Sequence, residues 1–452
     1  MIGGGVRPTT GGRLRTLTLG CKVNQYETEL VREGLRRIGY ADALEGEPAD
    51  VCVVNTCTVT AEGDAKSRQM IRRLARQNPG ARIVVMGCYA TREPEQVASL
   101  PGVSEVITDK RELPDWMGRF GVVDVPEGIS RFDHRQRAYV KVQDGCLLRC
   151  SYCIIPSVRP QMFSRGEAEI VAEVERLVGS GYREVVLTGI HLGHYGVDQN
   201  AGRPREVWQR LSTLVRRLCQ LEGEFRIRLS SIEATEVTRE LLTVMAEYPE
   251  RVCPHLHICL QSGSDRILSA MRRRWGVRRL VDRCRLAQEY LDRPALTTDV
   301  IVGFPGETED DFQQTWDVCR ELEFAKLHLF PFSPRRGTPA AEFVDQVGPD
   351  VKSDRLRRLG DLERATRRSY AHRLFGCQLQ VMVESSPQAG GAYGGTLCRA
   401  LVVEGEGLGV PIGKLASVEP VAWRDDDGPS HFDRLIVRPV RPAGSTTVAA
   451  GI

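Results

Sequence analysis

Three cysteines stand close together near the middle of this 452-residue chain, in the segment Cys146-Leu-Leu-Arg-Cys150-Ser-Tyr-Cys153. Cysteine thiolates are the usual protein ligands of a cubane iron–sulfur cluster, normally with one thiolate for each iron. Three ligands in one short loop would leave one iron open. An open metal position is where a substrate can bind, as it does in catalytic zinc sites. The segment therefore predicts a cluster that takes part in chemistry.

Two other interpretations use the same three residues: a zinc site that lacks one ligand, and a set of buried thiols. A zinc knuckle would need a fourth Cys or His nearby, and the next histidine, His191, is far downstream. Residues 138–143 alternate like a strand, and Gly145 then opens a loop directly before Cys146. This placement favours the cluster.

A second set of three cysteines follows predicted strands in the N-terminal region. Cys21, Cys57 and Cys88 each come directly after a strand end, next to Gly or Thr. The carboxyl ends of parallel strands lie on one edge of a sheet, where ligands bind, so topology brings the three thiols together. Buried cysteines are also common as structural residues, and we expect Cys52, in mid-strand, to be one. The sequence thus predicts a second three-thiolate site.

Composition limits the class of protein. The net charge of +3 says little about partners. Fourteen cysteines without a secretory apolar segment argue against a disulfide scaffold, and no apolar run approaches membrane-spanning length. We expect a cytoplasmic protein, not a membrane protein, whose thiols stay reduced. The first twelve residues and those from Arg441 onward are expected to be disordered tails.

The elements that position the second triad are expected in an α/β domain over residues 13–125. Short apolar strands alternate there with segments of helical spacing, which is typical of a doubly wound sheet. The predicted strands are 14–19, 51–54 and 83–86, and the predicted helices are 27–38 and 66–77.

The first triad falls in a region, residues 132–365, that repeats a strand–helix unit. Six such units predict a partial (β/α)6 barrel, related to the eight-fold barrel. Amphipathic stretches such as 167–178 and 309–322 lie between most of the strands. The candidate strands are 138–143, 184–189, 226–231, 256–261, 296–303 and 327–332.

Polar residues collect where these strands end, among them Gly189, Ser231, Gln261 and Asp299. The C-terminal face of such a barrel carries the chemistry, and Cys146, which follows the first strand, belongs to that face. Strand termination explains each polar residue equally well when it is taken alone.

A basic helix and a small β domain follow the barrel. The helix, over 351–374, suits either a solvated connection or a surface that faces a polyanion. Strand-like runs at 379–384, 397–403 and 435–440 predict a small antiparallel β-barrel over 370–440, a fold that often, but not always, binds nucleic acid. The arginines of the helix are Arg355, Arg357, Arg358, Arg364, Arg367, Arg368 and Arg373.

With both triads placed, residues 14 to about 440 resemble a methylthiotransferase of the radical S-adenosylmethionine (SAM) superfamily. The central cysteine spacing is the signature of radical SAM enzymes, in which the open iron binds the amino and carboxylate groups of SAM. The C-terminal barrel resembles the TRAM domain, which contacts RNA in that family. The motifs that carry the resemblance are Thr18–Cys21, Asn55–Cys57, Gly87–Cys88, the central triad with Ile154–Pro156, Thr188–Gly189, Arg228–Glu233, Gln261–Gly263 and Asp299–Glu307.

The stretch Leu19-Gly-Cys-Lys-Val-Asn-Gln-Tyr-Glu27 separates the branches of that family. It looks like the MtaB branch, which modifies N6-threonylcarbamoyladenosine in tRNA. The isopentenyladenosine branch usually has Met-Asn-Glu in place of Val-Asn-Gln, and the ribosomal-protein branch usually has Pro-Lys-Asn after the cysteine. Pro160, Trp275 and Cys398-Arg399 depart from the family, which usually has Gly, Tyr and an Asn-Tyr pair there; the last departure bears on RNA contact.

The resemblance implies transfer of a methylthio group to C2 of N6-threonylcarbamoyladenosine at position 37 of tRNA, with SAM and two 4Fe-4S clusters. One cluster would cleave SAM to a radical that abstracts hydrogen from the base, and the other would donate sulfur. The assignments are Cys146, Cys150 and Cys153 to the first cluster, Cys21, Cys57 and Cys88 to the second, and Gly189, Ser231, Gln261 and Asp299 to SAM contact.

The expected partners are tRNA, SAM and a reducing electron donor such as flavodoxin or ferredoxin, with no DNA and no membrane. Three alternatives stay open. Two are methylthiolation of isopentenyladenosine in tRNA and methylthiolation of a ribosomal-protein aspartate. The third is a non-catalytic iron–sulfur protein that binds RNA or senses redox state.

Overall fold

The computed structural model describes residues 11–133, 135–385, 393–406, 411–425 and 434–440. The two expected tails lie outside the described residues, apart from residues 11 and 12. Within the described ranges, none of the helices is both long enough and apolar enough to span a bilayer.

The N-terminal region contains a five-stranded sheet in which every neighbouring pair is parallel. Its strands are β1 (Arg13–Thr18), β2 (Ala41–Asp42), β3 (Val51–Thr56), β4 (Arg82–Gly87) and β5 (Val103–Val106). Its helices are α1 (Lys22–Arg37), α2 (Ala61–Gln77), α3 (Cys88–Arg92), α4 (Pro94–Ala98) and α5 (Leu113–Arg119). The strand order is β2-β1-β3-β4-β5.

Helices cover both faces of this sheet, which confirms the doubly wound fold. The central strand β3 is buried along its whole length, so its alternate residues enter two different cores. Val53 packs in one core with Leu35 of α1, and Cys52 packs in the other with Ile71 of α2. Cys52 is a buried core residue, as the sequence indicated.

The central region alternates strands and helices, and most of its neighbouring strands are parallel. Its strands are β6 (Ala138–Asp144), β7 (Phe163–Ser164), β8 (Glu184–Gly189), β9 (Arg226–Leu229), β10 (Ser231–Ile232), β11 (His255–Ile258), β12 (Ala295–Val302) and β13 (Lys326–Pro331). Its helices are α6 (Ile155–Val158), α7 (Glu167–Gly179), α8 (Leu211–Cys219), α9 (Arg239–Glu247), α10 (Asp265–Ala270), α11 (Val277–Tyr290), α12 (Glu309–Leu322) and α13 (Pro349–His372).

The six predicted parallel strands are present, but they form two hydrogen-bonded sheets. One has the order β7-β6-β8-β9, with the short β7 antiparallel to β6, and the other has the order β10-β11-β12-β13. The predicted strand 226–231 is interrupted at Ser230, which separates β9 from β10. The predicted strand 256–261 ends earlier, at Ile258, and Gln261 has a φ of 68°.

The C-terminal region is a closed five-stranded barrel, in the order β14-β15-β16-β18-β17. Four of its neighbouring pairs are antiparallel, as predicted, and β16 pairs with β18 in parallel. These strands are β14 (Leu379–Ser385), β15 (Tyr393–Leu397), β16 (Val402–Gly405), β17 (Leu415–Arg424) and β18 (Arg434–Pro439).

Two details of the barrel differ from the sequence prediction. The run 397–403 is not one strand, because a turn with Ala400 at a φ of 59° separates β15 from β16. Strand β17 was missed because Pro420 interrupts its pattern; the chain accommodates this proline at a β-bulge.

Two buried arginines join the C-terminal barrel to the central region. Arg226 donates to the carbonyl of Thr396 at 2.9 Å, and Arg228 donates to the carbonyl of Leu397 at 2.9 Å. Glu184 pairs with both guanidinium groups at 2.6 and 2.7 Å. Glu184 and Arg226 are the first residues of β8 and β9. The C-terminal barrel therefore lies at the end of the strands opposite the Cys146 loop.

Candidate active site

The structure brings Cys21, Cys57 and Cys88 together at the carboxyl edge of the N-terminal sheet. Cys21 precedes α1, Cys57 follows β3, and Cys88 begins α3. Burial raises the pKa of the Cys57 thiol, and the neighbouring Cys88 and Cys21 raise it further. Cys88 also raises the pKa of Cys21, so the three thiols lie close to one another.

Two glycines with positive φ shape the turns that lead into these cysteines. A Cβ atom on Gly20, whose φ is 101°, would lie 3.1 Å from the Sγ of Cys57. A Cβ atom on Gly87, whose φ is 100°, would lie 2.4 Å from the carbonyl oxygen of Thr56. A side chain at Gly87 would collide with the residues before Cys57, whereas one at Gly20 would push Cys57 by a few tenths of an ångström. Since both positions also have positive φ, close approach of the loops depends on the two glycines.

Asn24 in the first turn of α1 fixes two of these loops. Its Nδ2 donates to the carbonyl of Leu19 at 2.9 Å and to that of Thr56 at 3.0 Å. Those two residues stand just before Cys21 and Cys57 in the chain. One amide group therefore sets the separation of two thiols.

The second triad lies in the loop that follows β6. Burial raises the pKa of the Cys153 thiol to about 12, and Cys150 and Cys146 add to that rise. The guanidinium group of Arg273 lies 3.7 Å from the Sγ of Cys150 and opposes the rise at that thiol. All three cysteines are free.

The thiols of each triad are spaced too widely for a single metal ion. Zinc–sulfur bonds of about 2.3 Å place the sulfurs of one zinc site within roughly 4 Å of one another. Within the described residues, two sets of side chains have all their ligand atoms within 4.8 Å of one another, and neither set is a triad. These are His191, His194 and Glu236, and His257, Cys259 and Asp299. A wider spacing suits a cubane, because its thiolates bind different irons.

The two triads face each other across an apolar contact. Cys88 is buried with Ile154 and Val158. Ile154 directly follows Cys153, and Val158 ends the short helix α6. The edge of the N-terminal sheet is thereby held against the carboxyl end of the barrel strands, where both predicted sites lie.

A buried ionic cluster at the same boundary is centred on Arg159. Its guanidinium group donates to both carboxylate oxygens of Glu27, at 2.8 and 2.9 Å, and to Asp144 at 2.7 Å. Lys141 also pairs with Glu27, at 2.9 Å. Burial alone would raise the pKa of Glu27, but Arg159 and Lys141 lower it to about 2. The carboxylate therefore stays ionised and holds α1 to the barrel.

His191 lies beside the central triad, which corrects the expectation that no histidine is near it. Its Nδ1 is 3.7 Å from the Sγ of Cys146, and its Nε2 contacts Glu236. Burial lowers the pKa of His191, but Cys146 and Glu236 raise it to about 9. Parallel pairing of β6 with β8 closes the 45-residue gap. His191 stands two residues after the end of the predicted strand 184–189, and this position could have identified it as a site residue.

Gly189 and Ser231 occupy different environments among the residues predicted to contact SAM. Gly189 ends β8, and a Cβ atom there would lie 3.0 Å from the Oε1 of Gln143. That amide oxygen also accepts the backbone N–H of His191 at 2.7 Å, so Gly189 lies close to the Cys146 loop. Ser231 begins β10 and is exposed at the gap between the two central sheets.

Gln261 and Asp299 lie together. The backbone N–H of Gln261 donates to the carbonyl of Asp299 at 2.9 Å. The carboxylate of Asp299 is 3.2 Å from the Nε2 of His257. These contacts are on the carboxyl half of β12, so both residues belong to the face that carries Cys146.

Lys22, which follows Cys21, lies close to Cys21 and to Asp299 of β12. Its side chain is exposed, and among the described residues no carboxylate lies within ion-pair distance of it. Burial lowers its pKa, and Arg137 adds to this, while Cys21 and Asp299 act in the opposite direction. A side chain that is both solvent-accessible and surrounded by protein lines a cleft. Lys22 thus places a cation between the N-terminal triad and β12.

The arginines of α13 are paired with acids of the protein itself. This favours the solvated connecting helix over a surface that faces a polyanion, because local carboxylates already neutralise the charges. The pairs are Arg355–Glu307, Arg357–Asp354, Arg358–Glu309, Arg364–Asp361, Arg367–Glu363, Arg368–Asp425 and Arg373–Glu323.

Two departures from the family pattern have structural roles. Trp275 donates its indole N–H to Glu233 at 3.1 Å. Arg399 is buried and donates to the carbonyls of Arg293 and Asp292 at 3.0 and 2.9 Å. Arg399 therefore docks the C-terminal barrel on the central region.

Comparisons with known proteins agree with this architecture. Residues 13–109 match the family described as "Uncharacterized protein family UPF0004", and residues 140–319 match the radical SAM superfamily. The radical SAM methyltransferase TsrM from Kitasatospora setae has a similar fold, with a TM-score of 0.53 and 13% identity over 74% of each chain. Fold and sequence define this protein as a radical SAM enzyme, a class that uses SAM and an iron–sulfur cluster.

The sequences of known relatives show which family of radical SAM enzymes the chain resembles. The chain is 40% identical to threonylcarbamoyladenosine tRNA methylthiotransferase MtaB of Bacillus subtilis, over 82% of this chain and 84% of the relative. It is 37% identical to MtaB of Chlamydia pneumoniae, over 82% and 87%. It is 34% identical to tRNA-2-methylthio-N(6)-dimethylallyladenosine synthase of Corynebacterium diphtheriae, over 83% and 76%. The chain belongs to the radical SAM methylthiotransferase family, in its MtaB branch.

Proposed function

We propose that this enzyme transfers a methylthio group to C2 of N6-threonylcarbamoyladenosine at position 37 of tRNA. The names of its MtaB relatives support tRNA as the substrate class. The observation that favours the threonylcarbamoyl group over the isopentenyl group is the position of Lys22. The threonylcarbamoyl group ends in a carboxylate, whereas an isopentenyl group has no charge. Lys22 makes no ion pair among the described residues, and a cationic side chain of this kind suits the former.

Two clusters are proposed, one for each triad. Cys146, Cys150 and Cys153 would hold one 4Fe-4S cluster. The sites fit such groups, because each offers three free thiols, spaced more widely than a single ion accepts. When bound, the first cluster and one SAM would supply a deoxyadenosyl radical, the second cluster a sulfur source, and a second SAM the methyl group. Cys21, Cys57 and Cys88 would hold that second cluster.

The chain's own residues align and enclose these sites. The buried contact of Cys88 with Ile154 keeps water out between them. The Arg159–Glu27 pair fixes α1, and with it Cys21, relative to the barrel. Gly189, Ser231, Gln261 and Asp299 remain the proposed SAM contacts, at the carboxyl ends of the central strands. Alignment of this kind is what a protein adds to cofactor chemistry.

We assign a separate role to each of three parts of the chain. Residues 13–125 carry the donor site, 132–365 the radical site, and 370–440 a TRAM-like barrel. A reducing electron donor such as flavodoxin or ferredoxin would be needed as a partner. An anticodon loop suits the cleft, because single-stranded loops can present unpaired bases.

The test compares three substrates with the reconstituted, reduced enzyme. These are tRNA with the threonylcarbamoyl group, tRNA with an isopentenyl group, and a ribosomal protein. Methylthiolation of the first alone is expected. Product only from the isopentenyl tRNA or only from the protein would overturn the choice of substrate. Failure to cleave SAM at all would favour a non-catalytic iron–sulfur protein.

A further inference from the structure

A group of arginines beside the radical site lacks acidic partners, in contrast to those of α13. They lie in the loop between α10 and α11, in the first turn of α11, and at the start of α9. Each is exposed, and none makes a salt bridge within the described residues. We call Arg239, Arg272, Arg274, Arg278 and Arg279 the rim arginines.

The loop that carries two of them is attached to the central cysteine loop. The backbone N–H of Ser151 donates to the carbonyl of Met271 at 3.0 Å. Arg273, between Arg272 and Arg274, is turned inward to Glu233 and to the Sγ of Cys150. The inward arginine therefore anchors the loop, and its two neighbours in the chain are directed to solvent at the rim of the barrel.

The other three meet in one surface pocket. Arg239, Arg278 and Arg279 line a cavity of about 400 Å³, and Asp282 is its one acidic lining residue. Helices α9 and α11 begin at the carboxyl end of the barrel strands, where helix N-termini also favour anions. The pocket thus lies on the same face as the radical site and is suited to phosphate.

An aromatic platform lies next to this pocket. Arg205 and Arg210 each place a guanidinium carbon 5.4 Å from the centre of the Trp208 ring, and the indole N–H is held by the carbonyl of Arg203 at 2.8 Å. Trp208 lines a groove of about 490 Å³ that reaches Glu236, the partner of His191. The groove runs from the radical site toward the rim arginines. An aromatic ring flanked by arginines suits a stacked nucleobase.

We propose that the rim arginines and Trp208 form the face that binds RNA around the reacting base. This rests on the proposed function, since it names the surface by which the tRNA substrate would be held. Phosphates would contact the rim arginines, and an unpaired base would stack on Trp208. Glu236 and Glu240, which line the groove, and Asp282 in the arginine pocket are acids on this face. The arginines of α13 are paired with acids and Arg399 is buried, so we do not assign them to this face.

The test measures binding of threonylcarbamoyl-bearing tRNA to the full, cluster-loaded protein by fluorescence anisotropy at several salt concentrations. The rim variant is Arg239→Gln/Arg278→Gln/Arg279→Gln. The matched control is Arg357→Gln/Arg364→Gln/Arg373→Gln, on α13 and directly after it, which removes the same charge from paired positions. Iron content and melting temperature show whether each variant is folded. If the rim variant does not fold, the single substitutions Arg278→Gln and Arg279→Gln replace it.

The slope of the logarithm of the binding constant against the logarithm of salt concentration is negative. In the rim variant it should be less steep by about 2–3, because each phosphate contact contributes about 0.7–0.9. The α13 control should keep the wild-type slope. Trp208→Ala should weaken binding by about 5- to 150-fold with little change of slope, since stacking is not ionic. Equal slopes for wild type and rim variant overturn this inference and leave the proposed function standing. If the wild type itself binds no tRNA but methylthiolates protein, the proposed function fails as well.

Discussion

Arg159 holds Glu27 by two hydrogen bonds, of 2.8 and 2.9 Å, between elements more than a hundred residues apart. Glu27 belongs to α1, which begins directly after Cys21, and Arg159 follows the loop that ends in Cys153. One buried ion pair therefore links the supports of the two cysteine triads. Asn24 of α1 also accepts from Arg159, at 2.8 Å.

We expect Glu27→Gln to lower the free energy of unfolding by about 3–5 kcal/mol, because the buried cations Arg159 and Lys141 lose one of the two carboxylates that they share. Anaerobic thermal or denaturant unfolding of the loaded enzyme measures the change. Glu62→Gln is the matched control, since Glu62 pairs with Lys66 on the surface and its loss should have little effect. Equal losses from the two substitutions would contradict the role given to the pair.

The same pair predicts a pH dependence. The folded-state pKa of Glu27 is about 2, below its ordinary value of 4.5. A depressed carboxyl pKa contributes stability above the unfolded-state value and loses it as pH falls through the folded-state value. The stability difference between wild type and Glu27→Gln should therefore be constant above pH 5 and shrink between about pH 4.5 and pH 2. A difference that grows on acidification would be inconsistent with this.

Much of the fold could be predicted because the buried strands are continuous apolar runs in the sequence. The segments around Val53 and Leu187 are continuous apolar runs, and the structure places both in strands. The split at Ser230 and the bulge at Pro420 could not be predicted in the same way. Both depend on how neighbouring strands curve and pair, which a local pattern does not record.

The sequence likewise predicted some residues of the candidate site and missed others. Both cysteine triads were found from strand ends and spacing, because parallel strands bring such residues to one edge. The partners of the thiols were not found. His191 reaches Cys146 through pairing of β6 with β8, and Arg159 reaches Glu27 across two domains. Such contacts depend on how strands and domains pack together. The sequence around a single arginine or histidine does not indicate which distant residue it will contact.

Iron content tests the count of clusters. Anaerobically reconstituted enzyme should hold about eight irons per chain, since each of two cubanes has four. Replacing Cys146, Cys150 and Cys153 with Ala should leave about half of that iron. Cys52→Ala, in the buried strand β3, is the control and should leave iron unchanged. Full iron in the triple variant, or zinc as the native metal, would refute the assignment.

The two triads should have separable roles. A Cys21/Cys57/Cys88 triple Ala variant should still cleave SAM to 5′-deoxyadenosine after reduction, because its radical site keeps all three thiols. It should form no methylthio product. Chromatography of the nucleoside fraction and of SAM products measures both. Normal methylthio product from this variant would rule out these cysteines as the donor site.

Lys22 should select the substrate. Lys22→Met should lower kcat/KM for threonylcarbamoyl-bearing tRNA by roughly 10- to 150-fold, the value of a hydrogen bond to a charged group. Lys22→Arg should retain most of the activity, because it keeps the cation. Lys66→Met, which removes an exposed and paired lysine of α2, is the control. A loss that is equal for substrates with and without the threonyl carboxylate would contradict carboxylate recognition.

Methylthiolation of threonylcarbamoyladenosine in tRNA can be measured in cells. Mass spectrometry of tRNA nucleosides compares cells with and without the gene. We expect 2-methylthio-N6-threonylcarbamoyladenosine only when the gene is present, and its loss when a plasmid copy carries Cys146→Ala. An unchanged level of that nucleoside after deletion, in cells that have no second enzyme of the family, would rule out the proposed function.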